Sequence, residues 1–337
     1  MDNRIAYGLA KREGIDTKGM TPKEVWEALD NNGIKSGRSG YDSKEKFPTV
    51  KKEIEKVSPK KELKVKEMQA LYDRIKSGKK TTLAEILADK GLQEAEKKYT
   101  VSSEEFTSNI NTPERNALRK RIADEMNKRG SIVDKGFSGA VDKGFRAEIV
   151  LGKPAGGKSS VIVDKVSRNT NSRVLDSDEV KKELPEFDGG NGSGKIHTES
   201  ADLILEKMMI PEYYKGGKHQ GENIVIPIVG KKPRAAREYL KALKEAGYTV
   251  HLSLNRVTAE NSAKRAVTRF AETGRFLSPT YIESVGDKPE QTFELLKQEG
   301  GFDTYSDYDN NVPFGEPARK IERLDKNLKK IKWEDWQ

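Results

Sequence analysis

The 337-residue chain contains no cysteine, so disulfides and thiolate metal sites are excluded and nothing about the redox compartment can be read from thiols. Aromatic residues make up 7% and histidines number three, which leaves little material for base-stacking platforms or a histidine-rich metal centre. No apolar run approaches the length of a membrane span, and the opening stretch MDNRIAYGLAKREG lacks the apolar core of a secretory signal. What the chain has in quantity is charge: 35% of residues are Asp, Glu, Lys or Arg, against 34% hydrophobic, with a net charge of +9. That excess sits mostly in the first hundred residues, whereas the half beyond residue 150 is nearly neutral. A basic arm beside a nearly neutral second half argues against nucleic acid as the main partner of that half, since phosphate binding would place the positive charge at the site.

Local signals divide the chain into segments. Residues 1–33 read as a small helical module: Thr21 is a natural N-cap, Pro22 suits the first helical position, Glu24 completes a capping box, and Gly33 follows the stop. Residues 34–63, rich in Lys, Ser, Gly and Pro, read as a linker. Residues 64–111 look helical, with VKEMQALYDRI and TLAEILADKGL carrying apolar residues at helical spacing, and another helix is expected after Thr112-Pro113. A short repeat, Val133–Phe137 recurring as Val141–Phe145, reads as a loop leading into a strand. From there the pattern alternates. Strands are expected at 147–151, 173–175, 223–229 and 249–254, and helices at 158–168, 196–215, 233–246, 258–272 and 279–298. That order predicts an α/β domain over 112–325, with a parallel sheet flanked by helices, and leaves 326–337 as a tail.

The chemistry concentrates where the first strand meets its helix. Gly152-Lys153-Pro154-Ala155-Gly156-Gly157-Lys158-Ser159 satisfies G-x-x-x-x-G-K-S/T, followed by Ser160. Glycines allow the backbone N–H groups to turn inward around phosphate, Lys158 reaches the β- and γ-phosphates, and the Ser159 hydroxyl suits Mg²⁺. A nucleoside triphosphate site is implied. The carboxylates after the second strand, Asp176 and Asp178 around Ser177, fit the base of a small-molecule kinase, with one capping the next helix while Asp178 faces the γ-phosphate or supports Mg²⁺. Arg265 and Arg269 share a helical face and Arg275 follows in a loop. They read as a lid over the nucleotide, or singly as a solvated face paired with Glu260 and Glu272.

With those motifs in place the second half resembles the zeta toxin family over about residues 112–325. The resemblance is carried by LGKPAGGKSS, VLDSDEVKKELPEF, HTESADLI, NIVI, AGYTVHLSL, AVTRFAETGRFLSPTYI and SDYDNN. It implies a P-loop kinase of bacterial toxin–antitoxin systems that uses ATP and Mg²⁺ to phosphorylate the sugar of UDP-N-acetylglucosamine. Action in the bacterial cytoplasm and an antitoxin or immunity partner follow from the same resemblance. It assigns the base to Asp178, the phosphate contacts to Lys158, Arg265 and Arg275, the metal to Ser159, and acceptor binding to Glu199, and Ser177 is expected to bind the acceptor with it. One departure stands out: where the family usually has an acidic residue at the end of the NIVI strand, this chain has Pro227-Ile228-Val229-Gly230-Lys231. Another acceptor, a nucleic-acid end among them, and a nucleotide-binding module without kinase activity are the alternatives.

Overall fold

A computed structural model of the chain describes residues 20–21, 24–25, 28, 68–100, 102–128, 141–312 and 318–325. The expected linker at 34–63, the first copy of the short repeat, the tail at 326–337 and most of the 1–33 module lie outside the described residues. The chain divides into two units, Met1–Pro59 with Asp134–Phe137, and Lys60–Val133 with Ser138–Gln337. In the first unit the expected capping box forms. The Thr21 N–H and hydroxyl donate to the Glu24 carboxylate at 2.6 and 2.7 Å, and the Glu24 N–H returns to the Thr21 hydroxyl at 3.4 Å.

The second unit is built on a six-stranded sheet. The strands are β1 (Arg146–Gly152), β2 (Arg173–Val174), β3 (Ile224–Ile228), β4 (Thr249–Arg256), β5 (Thr304–Asp309) and β6 (Arg319–Asp325), in the order β2-β3-β1-β4-β5-β6. All neighbouring pairs are parallel except β5 with β6. This is the expected fold class: a P-loop-kinase-like parallel sheet flanked by helices. The central strand carries apolar residues on both faces because both are covered. Ile149 and Leu151 join the large core cluster with Leu252, Leu254 and Phe293, while Val150 packs on the other side with Ile162, Val163, Val166 and Val225. That second face also carries a buried polar row: Ser253 donates to Glu148 at 2.6 Å, and His251 bridges Thr304 at 2.5 Å and Ser306 at 2.9 Å.

Two strands were invisible in the sequence reading, β5 and β6. The run TYSDYD mixes polar and aromatic residues and has no continuous apolar signature, yet its first four residues are buried. Pro227 sits in β3 without cost to the ladder. The carbonyls of Asn223 and Val225 accept from Arg173 and Leu175 on the β2 side, so by strand alternation the missing N–H of Pro227 faces that side too, beyond the end of a two-residue strand.

Before the sheet come α1 (Gln69–Lys76), α2 (Leu83–Leu87), α3 (Lys90–Tyr99), α4 (Ser103–Asn109) and α5 (Pro113–Lys128). The stretch expected as one segment over TLAEILADKGL breaks between α2 and α3, because Asp89 caps the new helix by accepting from Leu92 N–H at 2.9 Å. After β1, one π-helical turn at Ser159–Val163 continues into α6 (Asp164–Asn169). Next come α7 (Ser177–Lys181), a 3₁₀ segment Pro185–Ser193, α8 (His197–Asp202) extended by a π-helical stretch Leu203–Tyr214, and α9 (Pro233–Glu245). The last helices are α10 (Ala259–Thr273), α11 (Pro279–Val285) and α12 (Lys288–Glu299). The single helix expected over 279–298 is two: Gly286, at φ 51° and ψ −136°, takes a conformation that glycine tolerates best, and Pro289 begins the next turn.

Helices α1–α3 share one apolar cluster with α10 and α11. Met68, Leu71, Ile86, Leu92 and Ala95 pack against Ala263, Ala266, Val267, Phe270, Phe276 and Ile282. Tyr99 lies 5.6 Å from the Phe276 ring and 6.2 Å from that of Phe270, and Glu96 accepts from the hydroxyls of Ser278 and Thr280. The helix that carries Arg265 and Arg269 is therefore braced from outside by residues that precede the phosphate loop.

Candidate active site

The loop after β1 turns on three residues with positive φ, Gly152 (155°), Ala155 (54°) and Gly157 (83°). Glycine is required at two of its positions by space as well: a Cβ at Gly152 would sit 2.8 Å from the Asn255 carbonyl oxygen, and one at Gly156 2.8 Å from that of Lys153. The loop's carbonyls are occupied from behind. Gly152 O and Lys153 O accept from Lys158 Nζ at 2.7 and 3.0 Å, Lys153 O also accepts from Gly156 N–H, and Pro154 O accepts from the Ser262 hydroxyl. Gly157 O accepts from Val161 N–H at 3.1 Å. With its acceptors engaged, such a loop presents donors, which is what an anion needs. Ser159 and Ser160 are exposed at the start of the following helix.

Lys158 connects the loop to the second group of residues. Burial pushes its ammonium down to about 8, against the pull of Asp176 and Asp178. Asp176 caps α7 by accepting from Asp178 N–H at 2.9 Å, which settles which residue caps. Burial, and next the neighbouring Asp178, push the Asp176 carboxyl up to about 7. Asp178 is the opposite case: burial opposes its charge, but Lys181 Nζ at 2.9 Å and the Arg275 guanidinium on its other oxygen hold it far below the usual carboxylate range. Arg275 itself is backed by Gly190, where a Cβ would come within 2.8 Å of the Arg275 Cα. Gly190 belongs to a turn, Asp188-Gly189-Gly190, in which every φ is positive. Arg269 completes the group. Burial and then Arg275 push its guanidinium down to about 10, Asp178 draws it up, and its buried Nε has no hydrogen-bond partner among the described residues.

Several expected site residues have other protein partners in the structure. The Lys153 side chain, 1% exposed, leaves the loop entirely and pairs with Glu290 and, at 3.3 Å, Asp287 at the start of α12, so only its backbone belongs to the cradle. The Arg265 guanidinium, expected on the nucleotide, is spent on carbonyl oxygens of Gly156, Asn310 and Val312. Glu199, expected to hold the acceptor, is 1% exposed. It accepts from Arg115 at 2.8 and 2.7 Å and from Arg119 at 2.7 Å, while Arg115 also grips Glu186 at 3.0 and 2.8 Å. Ser177 occupies the first turn of α7 beside Asp178. Sequence reasoning missed Lys181, Arg115 and Arg119. Lys181 was findable from its three-residue spacing to Asp178 on a helix; the two arginines come from a distant helix and carry no local signal.

Among the described residues, no cluster of three or more His, Asp or Glu could hold a metal by protein ligands alone, and no helix is long and apolar enough to cross a membrane.

The family model described as Zeta toxin matches residues 146–315. No curated protein matches the chain. Among solved structures, a chain of the PezAT chromosomal toxin–antitoxin system of Streptococcus pneumoniae is 16% identical, with 62% of this chain and 79% of that one covered, at a TM-score of 0.45. A chain of the AvrRxo1-ORF1:-ORF2 structure with ATP is also 16% identical, with 64% and 69% covered, at a TM-score of 0.49.

Proposed function

The chain belongs to the zeta toxin family, and from that premise we propose that it is an ATP-dependent kinase acting as the toxin of a toxin–antitoxin pair. The observation that carries the reading is the convergence on Lys158 of a donor-lined phosphate loop and the Asp178 carboxylate, with Arg275 bridging to that carboxylate.

In the reaction, the loop amides and Lys158 hold the β- and γ-phosphates of ATP. The acceptor hydroxyl oxygen forms a bond to the γ-phosphorus, the bond from that phosphorus to the β-phosphate oxygen breaks, and the hydroxyl proton passes to Asp178. Held between Lys181 and Arg275, Asp178 is a weak base. Movement of Arg275 from the carboxylate onto the γ-phosphoryl group would both neutralise the charge in transfer and make Asp178 more basic, so nucleotide binding prepares the proton acceptor. Arg269, uncommitted at Nε, is better placed than Arg265 to assist. Mg²⁺ fits the donor set: the exposed Ser159 hydroxyl, with Asp176 and Asp178 near enough to act on Lys158, is the sparse set that Mg²⁺ uses beside nucleotide phosphates. When bound it would supply positive charge that offsets the negative charge of the nucleotide phosphates.

UDP-N-acetylglucosamine or a related nucleotide sugar is the acceptor the family suggests, with an antitoxin or immunity protein as partner and the bacterial cytoplasm as site of action. A second reading, a different acceptor on the same kinase machinery, is favoured by two observations. Pro227 stands where an acidic residue is expected, and the buried Glu199 carboxylate already accepts three N–H donors from two arginines. The deciding experiment is ADP release from the full chain with Mg²⁺-ATP, with and without UDP-N-acetylglucosamine, in wild type, Lys158→Ala and Asp178→Asn. Stimulation by the sugar nucleotide that both variants abolish, with a phosphorylated sugar product, supports the first reading. ATP binding without any response to the sugar nucleotide supports the second, and failure to bind ATP refutes both.

A further inference from the structure

The Gly156 carbonyl oxygen is the most heavily engaged acceptor of the phosphate loop. Asn255 Nδ2 donates to it at 2.9 Å, Asn310 Nδ2 at 2.7 Å and Arg265 Nη1 at 2.8 Å. A carbonyl oxygen has two lone pairs, so three donors saturate it and fix its direction. The donors come from three separate places: Asn255 from the end of β4, Asn310 from the residue after β5, and Arg265 from α10. They are themselves interlocked, since Arg265 Nη2 donates to Asn310 O at 2.8 Å and to Val312 O at 3.1 Å, and Asn310 N–H donates to Arg256 O at 2.8 Å. Both asparagines are buried, Asn255 at 0% and Asn310 at 2% exposure. Neither amide can be reversed, because its oxygen would then meet the oxygen of Gly156.

We propose that Asn255, Asn310 and Arg265 are positioning residues that set the phosphate affinity of the loop by clamping the Gly156 carbonyl. The Gly156–Gly157 peptide is planar and trans, so its C=O and N–H point in opposite directions. Pulling the carbonyl toward β4 and β5 drives the Gly157 N–H the other way, away from the clamp and toward the concave side of the loop. Gly157 permits that orientation at φ 83°, and its position leaves no slack, since a Cβ there would stand 3.0 Å from Asn310 Nδ2. Without the clamp the peptide is free to flip and offer an oxygen to the phosphate, replacing attraction with repulsion.

The inference rests on the nucleotide-site reading above, and one titration separates the two. Mg²⁺-ATP binding to the full chain is measured by calorimetry for wild type, Asn310→Ala, Asn310→Asp and Asn255→Ala, with thermal unfolding followed in parallel. Asn310→Ala and Asn255→Ala are each expected to weaken binding by about tenfold. Asn310→Asp keeps the shape but sets a carboxylate oxygen against the Gly156 carbonyl, so it weakens binding more than Asn310→Ala does. A packing role predicts the reverse order, because alanine leaves the larger gap. Variants that bind within twofold of wild type, or Asn310→Asp binding better than Asn310→Ala, overturn the clamp while leaving the nucleotide site intact. A wild-type chain that does not bind Mg²⁺-ATP overturns both.

Discussion

Replacing Arg115 with alanine should cost stability far more than an ordinary surface ion pair would. Arg115 is 10% exposed at its side chain and joins a Glu199 carboxylate that is 1% exposed. Removing one partner of a buried pair costs about 3–5 kcal/mol, because the remaining charge is left in a poor solvent. Here Arg119 still holds one Glu199 oxygen at 2.7 Å, so the cost falls to the bottom of that range or just under it, about 2–3 kcal/mol. At about 2–4 °C per kcal/mol for a unit of this size, Tm should fall by about 5–10 °C at neutral pH. The pH dependence has a definite sign. Burial opposes the Glu199 charge, but Arg115 and Arg119 outweigh it and lower its pKa. A carboxylate with a depressed folded pKa contributes stability that is present above its unfolded pKa, about 4.3, and is lost as pH falls through the folded value. The gap in Tm between wild type and Arg115→Ala should therefore be full at pH 7 and narrow below about pH 4. Circular dichroism melts from pH 3.5 to 8 measure both. A variant within about 1 °C of wild type at pH 7 would refute the account of Glu199 as a buried, arginine-held carboxylate and return it to the acceptor.

Asp178→Asn should retain Mg²⁺-ATP binding while ADP release falls by a factor of about 10² or more, since the loop and Lys158 that hold the phosphates are kept and the proton acceptor is lost; loss of ATP binding instead would make Asp178 a metal ligand first. Asp176→Asn keeps the helix cap but removes a carboxyl whose pKa is pushed up to about 7 by burial and Asp178. The folded state holds an extra proton there between the unfolded pKa and about 7, so stability falls as pH rises through that window and the variant should gain clearly more Tm at pH 8 than at pH 5. An equal gain at both pH values would show that ionisation is not the cause. Ile86→Ala, at a position 0% exposed in the cluster shared with α10, should lower the unfolding free energy of the ATP-stabilised transition by about 2–5 kcal/mol. An unchanged transition would mean that α2 unfolds apart from the kinase fold.

The phosphate loop, the helix cap at Asp176 or Ser177 and the parallel strands β1 to β4 were legible because each depends on neighbours in the chain. Glycine spacing dictates where the backbone can turn, a short polar side chain dictates where a helix can start, and continuous apolar runs mark strands covered on both faces. The same local logic could not place β5, whose residues are polar or aromatic and owe their burial to the strands beside them. Nor could it separate Arg265 from Arg269. Four residues apart on one helix, they look alike in sequence, yet one ends against the carbonyls of Gly156, Asn310 and Val312 while the other stands beside Asp178 and Arg275. Glu199 makes the point most sharply: its place at the start of α8 was readable, but its environment was decided by Arg115 and Arg119, more than 75 residues earlier in the chain. Chemical type and local conformation are written in consecutive residues. Which charges meet, and which are free to act, is decided only when distant segments pack together, because a charge's behaviour depends on what surrounds it in space.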